Sequence, residues 1–323
     1  MRSRVCWTVR LVLILRVLWL DAARPARQNV RQPHTNTEDT PAMHIGLFSY
    51  NVDYGARPDQ IARAAEERGF ESFWVGEHTH IPAGRQTPYP GGDPLPKPYY
   101  HMADPFVSLM AAAAATSTIK LGTGVCLVAQ HDPITLAKTV ATLDYLSNGR
   151  VLLGVGGGWN REECENHGVP FPKRWKYLRE SVEAMKRIWA DEEASYAGEM
   201  VNFDRIISHP KPAQAGGPPV IYGGATKLGR ERVARYCDGW IPIDILIKDL
   251  PAQIADVRRR AEAHGRDPNS IEISIFAFEG ASPDALQQYR DMGIARVALI
   301  TPRRLDDALR TMDDLAKLIP LVA

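Results

Sequence analysis

From residue 44 onward two apolar rhythms alternate along the chain. Short runs of apolar, β-branched and aromatic residues over 44–50, 72–78, 119–128, 150–155, 219–222, 239–243, 271–278 and 296–301 predict strands. Between them, apolar residues three and four apart predict helices over 58–68, 105–115, 174–190, 227–236, 250–264 and 305–318. Leu178, Val182, Met185 and Trp189 mark the buried face of the longest. Asp132-Pro133 and Ser282-Pro283 open two more helices, each pairing a capping side chain with proline in the first turn, as Asp104-Pro105 also does. Residues 196–203 read as a small hairpin turning at Gly198.

Eight strands, each followed by a helix, over the ~250 residues usual for the fold, predict a single-domain α/β protein built as a TIM (β/α)8 barrel. A doubly wound open sheet is the alternative. It would usually carry a nucleotide fingerprint after strand one, where this chain reads Ser49-Tyr50-Asn51.

Residues 142–163 hold the densest local information. Leu143 and Leu146 belong to a helix that Asn148-Gly149 stops in the left-handed conformation. Residues 151–155 form a buried parallel strand, and Gly156, Gly157 and Gly158 follow where it emerges. Residues without Cβ admit a second backbone or a flat ligand, or simply make a tight turn. The spacing matches no dinucleotide fingerprint, because Trp159 stands where the third glycine is required, and no Gly-Lys-Ser/Thr follows.

Net charge is +1, with 39 basic and 38 acidic residues, so there is no electrostatic footprint for nucleic acid. Cys6, Cys126, Cys164 and Cys237 are far apart, which argues against disulfides and zinc and for a reduced, cytoplasmic setting. Residues 1–42 differ from the rest. Arg2 and Arg4 precede an apolar run over 11–20, but Arg16 interrupts it and about ten residues cannot span a bilayer. Residues 24–41 are polar and proline-containing, a composition that favours disorder. The expected division is a disordered leader or over-extended start over 1–42 and a barrel over 43–323.

A TIM barrel builds its site at the C-terminal ends of its strands. Those ends are Ser49-Tyr50, Glu77-His78, Gly124 to Leu127, Gly157 to Asn160, Gly223 to Thr226 and Phe278-Glu279. They are rich in glycine and aromatics and poor in charge, which suits a flat, apolar ligand. Residues 79–103 form a long proline-rich loop with Tyr89, Tyr99 and Tyr100, either a lid or a surface excursion. Glu77 either faces a cofactor or pairs with a neighbouring arginine. His131 either reaches substrate or supports a helix start.

Several segments resemble the bacterial luciferase-like superfamily of flavin- and deazaflavin-dependent oxidoreductases. They are Gly69-Phe70-Glu71-Ser72-Phe73-Trp74-Val75-Gly76-Glu77-His78, Lys120-Leu121-Gly122-Thr123-Gly124-Val125, Ala137 to Asp144, Ser147-Asn148-Gly149-Arg150, Pro219 to Ala225 and Asp238-Gly239-Trp240. The resemblance implies a TIM barrel binding coenzyme F420 or FMN. It implies His78 beside the reactive ring as the catalytic residue and a non-proline cis peptide at Gly124-Val125 behind the ring. Glu77, Gly124, Val125, Gly157 and Gly158 then line the cofactor, and Gly223-Gly224-Ala225-Thr226 offers backbone N–H groups to its phosphate. Sugar-phosphate dehydrogenases of the family carry a glutamate where this chain has Trp159, which separates their substrate from this one.

The leading expectation is therefore an F420-dependent oxidoreductase acting on a small organic substrate, with an FMN-dependent monooxygenase as the alternative. No nucleic acid, membrane or metal is expected as a partner, and a homodimer is compatible with the sequence. Two other classes stay open. His78-Thr79-His80 offers a metal-dependent hydrolase two ligands, and a flavin-binding accessory subunit would look alike. A chain begun at Met43 is expected to remain soluble and keep its cofactor affinity. Loss of folding on that truncation would place the leader inside the domain.

Overall fold

The computed structural model describes residues 42–322. The expectation about a leader falls, but for residue 42, outside that span. The strands are β1 (His44–Ser49), β2 (Ser72–Val75), β3 (Lys120–Thr123), β4 (Cys126–Leu127), β5 (Val151–Gly156), β6 (Ala194–Ala197), β7 (Asn202–Ile206), β8 (Val220–Tyr222), β9 (Gly239–Trp240), β10 (Glu272–Ala277) and β11 (Arg296–Ile300). The α-helices are α1 (Pro58–Glu67), α2 (Pro105–Ala115), α3 (Pro133–Leu146), α4 (Arg161–Asn166), α5 (Arg174–Ala190), α6 (Lys227–Tyr236), α7 (Leu250–Ala263), α8 (Pro283–Asp291) and α9 (Leu305–Ala316). Parallel neighbours run β3-β2-β1-β11-β10-β9-β8-β5, and β3 pairs with β5 to close the ring. The barrel stands and the open sheet is excluded.

The helix starts follow their local chemistry. Asp104, Asp132 and Ser282 accept from the N–H groups of Val107, Thr135 and Ala285, each cap contributing about 1 kcal/mol. Asn148 and Gly149 take positive φ values of 58° and 78°, the stop read from their sequence. Three details differ from the sequence reading. The strand over 119–128 is split into β3 and β4 at a cis Gly124-Val125 peptide. The strand over 239–243 has shrunk to two residues. Helix α4 was absent from the reading, although Asn160 caps it through the Glu163 N–H and Glu162 and Glu163 occupy its first turn.

Alternation along the strands sorts the core into two layers. Leu47, Phe73, Val75, Leu121, Leu153 and Val155 face outward and pack with Ile61, Leu109, Leu136, Val140, Leu178 and Met185 of the helices. Each such side chain, fully buried, contributes roughly 1.5–3 kcal/mol. Phe48, Trp74, Leu152, Ile221, Ile241, Phe276 and Ala298 form a separate cluster inside the ring. Phe48, Trp74, Gly122 and Leu152 sit level on four successive strands. Gly122 is there because a Cβ would run into the Trp74 indole. The indole N–H donates to Ser72 Oγ at 2.9 Å.

The opposite end of the barrel is held by buried charge. Arg296, 4% exposed, makes a two-pronged bond to Glu71 at 2.7 and 2.8 Å and also meets Glu272. Burial disfavours its charge, but the two carboxylates more than offset that and hold the guanidinium above its ordinary value. Arg150 donates to the carbonyls of Ala113, Thr116, Ile119 and Ser147, satisfying chain ends after α2 and α3. Replacing Arg296 with methionine leaves two carboxylates facing each other without their cation. We expect a loss of ~3–5 kcal/mol, seen as a melting temperature lower by roughly 6–20 °C. A melt within a degree or two of the parent would show that the ion pairs contribute nothing.

Candidate active site

The site begins where β2 ends. Beyond Val75 the chain passes Gly76 and places two consecutive polar side chains, Glu77 and His78, in the interior at 4% and 8% exposure. They point to different partners. Glu77 accepts from His131 Nε2–H at 2.7 Å and from the Leu127 N–H. Its partner is a histidine and not an arginine, and these bonds tie the end of β2 to β4 and the turn that follows it. Burial lowers the His131 pKa, but the bond and charge of Glu77 more than offset this and leave it raised. Cys126 lies beside them with its thiol pushed well up by burial and the Glu77 charge. Glu77, Cys126 and His131 thus bring three metal-capable groups within 4.8 Å, a grouping the sequence reading did not make.

His78 turns the other way. Its Nδ1–H donates to Glu163 Oε2 at 2.8 Å, with Oε1 at 3.0 Å, and Glu163 is 1% exposed. A carboxylate can only accept, so Nδ1 must carry the proton and Nε2 is left for chemistry. Among the described residues Nε2 has no hydrogen-bond partner. Glu163 was missed in the sequence. Its signal was Asn160 followed by glutamates, the start of a short helix. His80 goes elsewhere, to Thr79 and Asn166, so the two histidines of His78-Thr79-His80 do not converge on one point.

Aromatic rings surround His78. Tyr99 and Trp159 lie 5.2 and 5.8 Å from its imidazole centroid, and Tyr89 packs on both. The Tyr89 and Tyr99 hydroxyls are 2.9 Å apart, and Tyr50 adds a fourth ring. Burial and then the bond with Tyr89 hold the Tyr99 phenol far above its ordinary pKa, so it stays neutral. The loop over 79–103 supplies Tyr89 and Tyr99 and lays Arg85 over the Trp159 ring at 5.5 Å. Its anchor is Glu162, which accepts from Thr87 Oγ1 at 2.6 Å and from the N–H groups of Gln86 and Thr87 at 2.9 and 3.1 Å. Desolvation raises the Glu162 pKa, but these bonds win and bring it to about 2. Adjacent carboxylates on α4 therefore hold the loop and the histidine.

The other expected cofactor-lining residues stand at the ends of β3, β5 and β8. The Val125 side chain occupies space vacated by Gly156 and Gly223, where Cβ atoms would strike it, and a Cβ at Gly154 would strike the Thr123 carbonyl. Gly124 faces the Phe48 and Phe276 rings. Gly157 makes room for the Trp175 ring, and Gly158 adopts a φ of +71°. At the end of β8, Thr226 caps α6 by accepting from the Gly229 N–H at 3.0 Å. The Gly223 N–H is committed to the Val155 carbonyl at 3.0 Å and cannot serve a phosphate. Those of Gly224, Ala225 and Thr226 have no partner among the described residues. Unpaired amides at a helix start, glycines that open the neighbouring strand ends and an aromatic wall together fit a planar ring carrying a phosphate.

The chain is similar to several known proteins. The family model described as "Luciferase-like monooxygenase" matches residues 43–311. An uncharacterized protein of Mycobacterium tuberculosis is 43% identical over 282 residues, 85% of this chain and 98% of its own length. The F420-dependent hydroxymycolic acid dehydrogenase of the same species is 29% identical, over 78% of this chain and 67% of that protein. The FMNH(2)-dependent dimethylsulfone monooxygenase of Pseudomonas putida is 27% identical, over 71% of this chain and 58% of that protein. Among solved structures, monooxygenase RslO1 from Streptomyces bottropensis superposes with a TM-score of 0.71 at 22% identity, over 87% of this chain and 100% of that one, a likeness of fold. With a family match over most of its length and a 43% identical relative covered almost end to end, this chain belongs to the luciferase-like monooxygenase family of oxidoreductases.

Proposed function

We propose that the protein is an F420-dependent oxidoreductase that moves a hydride to or from a small organic substrate bearing a hydroxyl or carbonyl group. The observation that carries this reading is the buried His78–Glu163 pair, with Nε2 free beside an aromatic wall. Hydride transfer from an alcohol needs a base for the hydroxyl proton, and a neutral imidazole is suited to that task near pH 7. The relative named as F420-dependent points the same way. The FMN-dependent relative names the competing cofactor.

The deazaflavin, when bound, supplies the hydride chemistry. Gly157, Gly158 and the cis Gly124-Val125 segment with its Val125 side chain would line its ring, and the amides of Gly224, Ala225 and Thr226 would meet its phosphate. Glu77 sits below this surface and supports it through Leu127 and His131. His78 Nε2 takes the substrate proton, and Glu163 accepts the Nδ1–H bond, holding the ring in that tautomer and stabilising the imidazolium. Tyr89, Tyr99 and Trp159 exclude water above the reacting atoms, and Glu162 keeps the loop that carries the two tyrosines in place.

Titration of the purified protein with F420 and with FMN, followed by ring absorbance and protein fluorescence, separates the two cofactors. F420 is expected to bind more tightly. Saturable binding of FMN alone would replace this reading with an FMN-dependent monooxygenase.

With bound F420, and whichever alcohol or carbonyl in a panel changes its absorbance fastest, His78→Ala is expected to keep coenzyme affinity within a few-fold. Its turnover is expected to fall by at least ~100-fold. Glu163→Gln should lower turnover at least ~10-fold with coenzyme affinity unchanged. Lost binding with normal turnover per bound coenzyme would make His78 a ligand and not a proton carrier.

A further inference from the structure

Glu77, Cys126 and His131 come from separate parts of the chain and meet where the end of β2 reaches β4. A carboxylate oxygen, a thiol sulfur and a ring nitrogen there all lie within 4.8 Å of one another. Glu77 and Cys126 are buried, whereas the His131 side chain is 20% exposed and marks the way in from solvent.

Each member is held in place by its surroundings. The Leu127 N–H donates to Glu77 Oε2, which fixes the carboxylate and leaves Oε1 to His131. The Tyr177 hydroxyl donates to the His131 carbonyl at 2.8 Å, and the imidazole stands edge-on to Phe106. Cys126 is carried on β4, paired opposite Val155 of β5.

Charge at this point is out of balance. Asp104, the cap of α2, adds a second carboxylate whose charge reaches both Cys126 and His131. Among the described residues neither Glu77 nor Asp104 is paired with a lysine or arginine, so His131 is the only cation set against two carboxylates. A buried carboxylate with so little compensation is costly, and a cation beside it offsets that cost. The thiol is also poorly placed without one. Burial and then the Glu77 charge oppose its ionisation, whereas a bound metal ion reverses that logic.

We infer that Glu77, Cys126 and His131 form a binding site for zinc. Thiolate, imidazole and carboxylate are the three donor types zinc takes, whereas calcium and magnesium select oxygen. Thiolate and carboxylate carry two negative charges, which one divalent ion cancels with His131 neutral. Tetrahedral zinc holds its donors roughly 3.2–3.8 Å apart, so Glu77 Oε1 and His131 Nε2, at 2.7 Å, have to part by about half an ångström. Three protein ligands leave the fourth position to water. Cys126 follows the Gly124-Val125 peptide, so the ion would brace the strand break whichever cofactor the barrel takes. Spacing rules do not find this set, because its members are far apart in the chain.

The test uses the whole chain, stripped of metal by a chelator and titrated with Co2+ as the probe. One Co2+ per chain is expected to bind and to show a sulfur-to-cobalt charge-transfer band, which added Zn2+ abolishes by displacement. Cys126→Ala should lose the band. The triple variant Cys6→Ala/Cys164→Ala/Cys237→Ala, which leaves Cys126 as the sole thiol, should keep it, and it carries the test if Cys126→Ala does not fold. Zinc at about 100 times its dissociation constant should raise the melting temperature of the parent by roughly 5–10 °C. The same zinc should leave the melt of Cys126→Ala nearly unchanged. Co2+ binding without a charge-transfer band would place the ion on other groups, such as the His80 and His167 pair, and overturn the site. A band that survives in Cys126→Ala, or that is missing from a folded triple variant, would overturn it as well. Circular dichroism confirms the fold of each variant compared.

Discussion

A closed ring of eight strands leaves a narrow interior, and how that interior is filled sets everything above it. Trp74 takes the largest share. It fits because Gly122, level with it on the next strand, has no side chain. Phe48 and Phe276 complete the plug. The same rings meet Gly124, so the packed interior becomes the floor on which the rim is built. Strand ends that rise from a rigid floor hold their side chains more precisely than loops alone would.

On one side of the rim, charge organises the parts. Glu77 and His78 are neighbours in sequence but serve different structures, one bracing β4 and the turn after it and the other standing against Glu163. Helix α4 has the same economy, because successive residues on a helix point about 100° apart. Glu163 reaches the imidazole and Glu162 reaches the loop. A shift of this short helix would disturb the His78–Glu163 pair and the aromatic cover at once. The ends of β5 and β8 are made instead of glycines and a capped helix start.

The strand and helix order, the capped helix starts, the Asn148-Gly149 stop and the strand-end positions were legible along the chain, because each depends on neighbours a few residues away. His78 was legible as a candidate for the same reason, by standing at a strand end. Its partner was not. His78 and Glu163 are 85 residues apart and His131 and Glu77 are 54 apart, so only ring closure brings them together. The glycines were read as room for a ligand or for a second part of the chain, and only folding shows that Gly156 and Gly223 clear the Val125 side chain and Gly157 the Trp175 ring. The Gly223 amide was likewise counted toward a phosphate until sheet pairing committed it to Val155. The sequence alone determined which elements form and in what order, because periodicity and capping are local. The tertiary structure decided which side chains share a site, because contacts across a closed barrel depend on register and layer, and these leave no local trace.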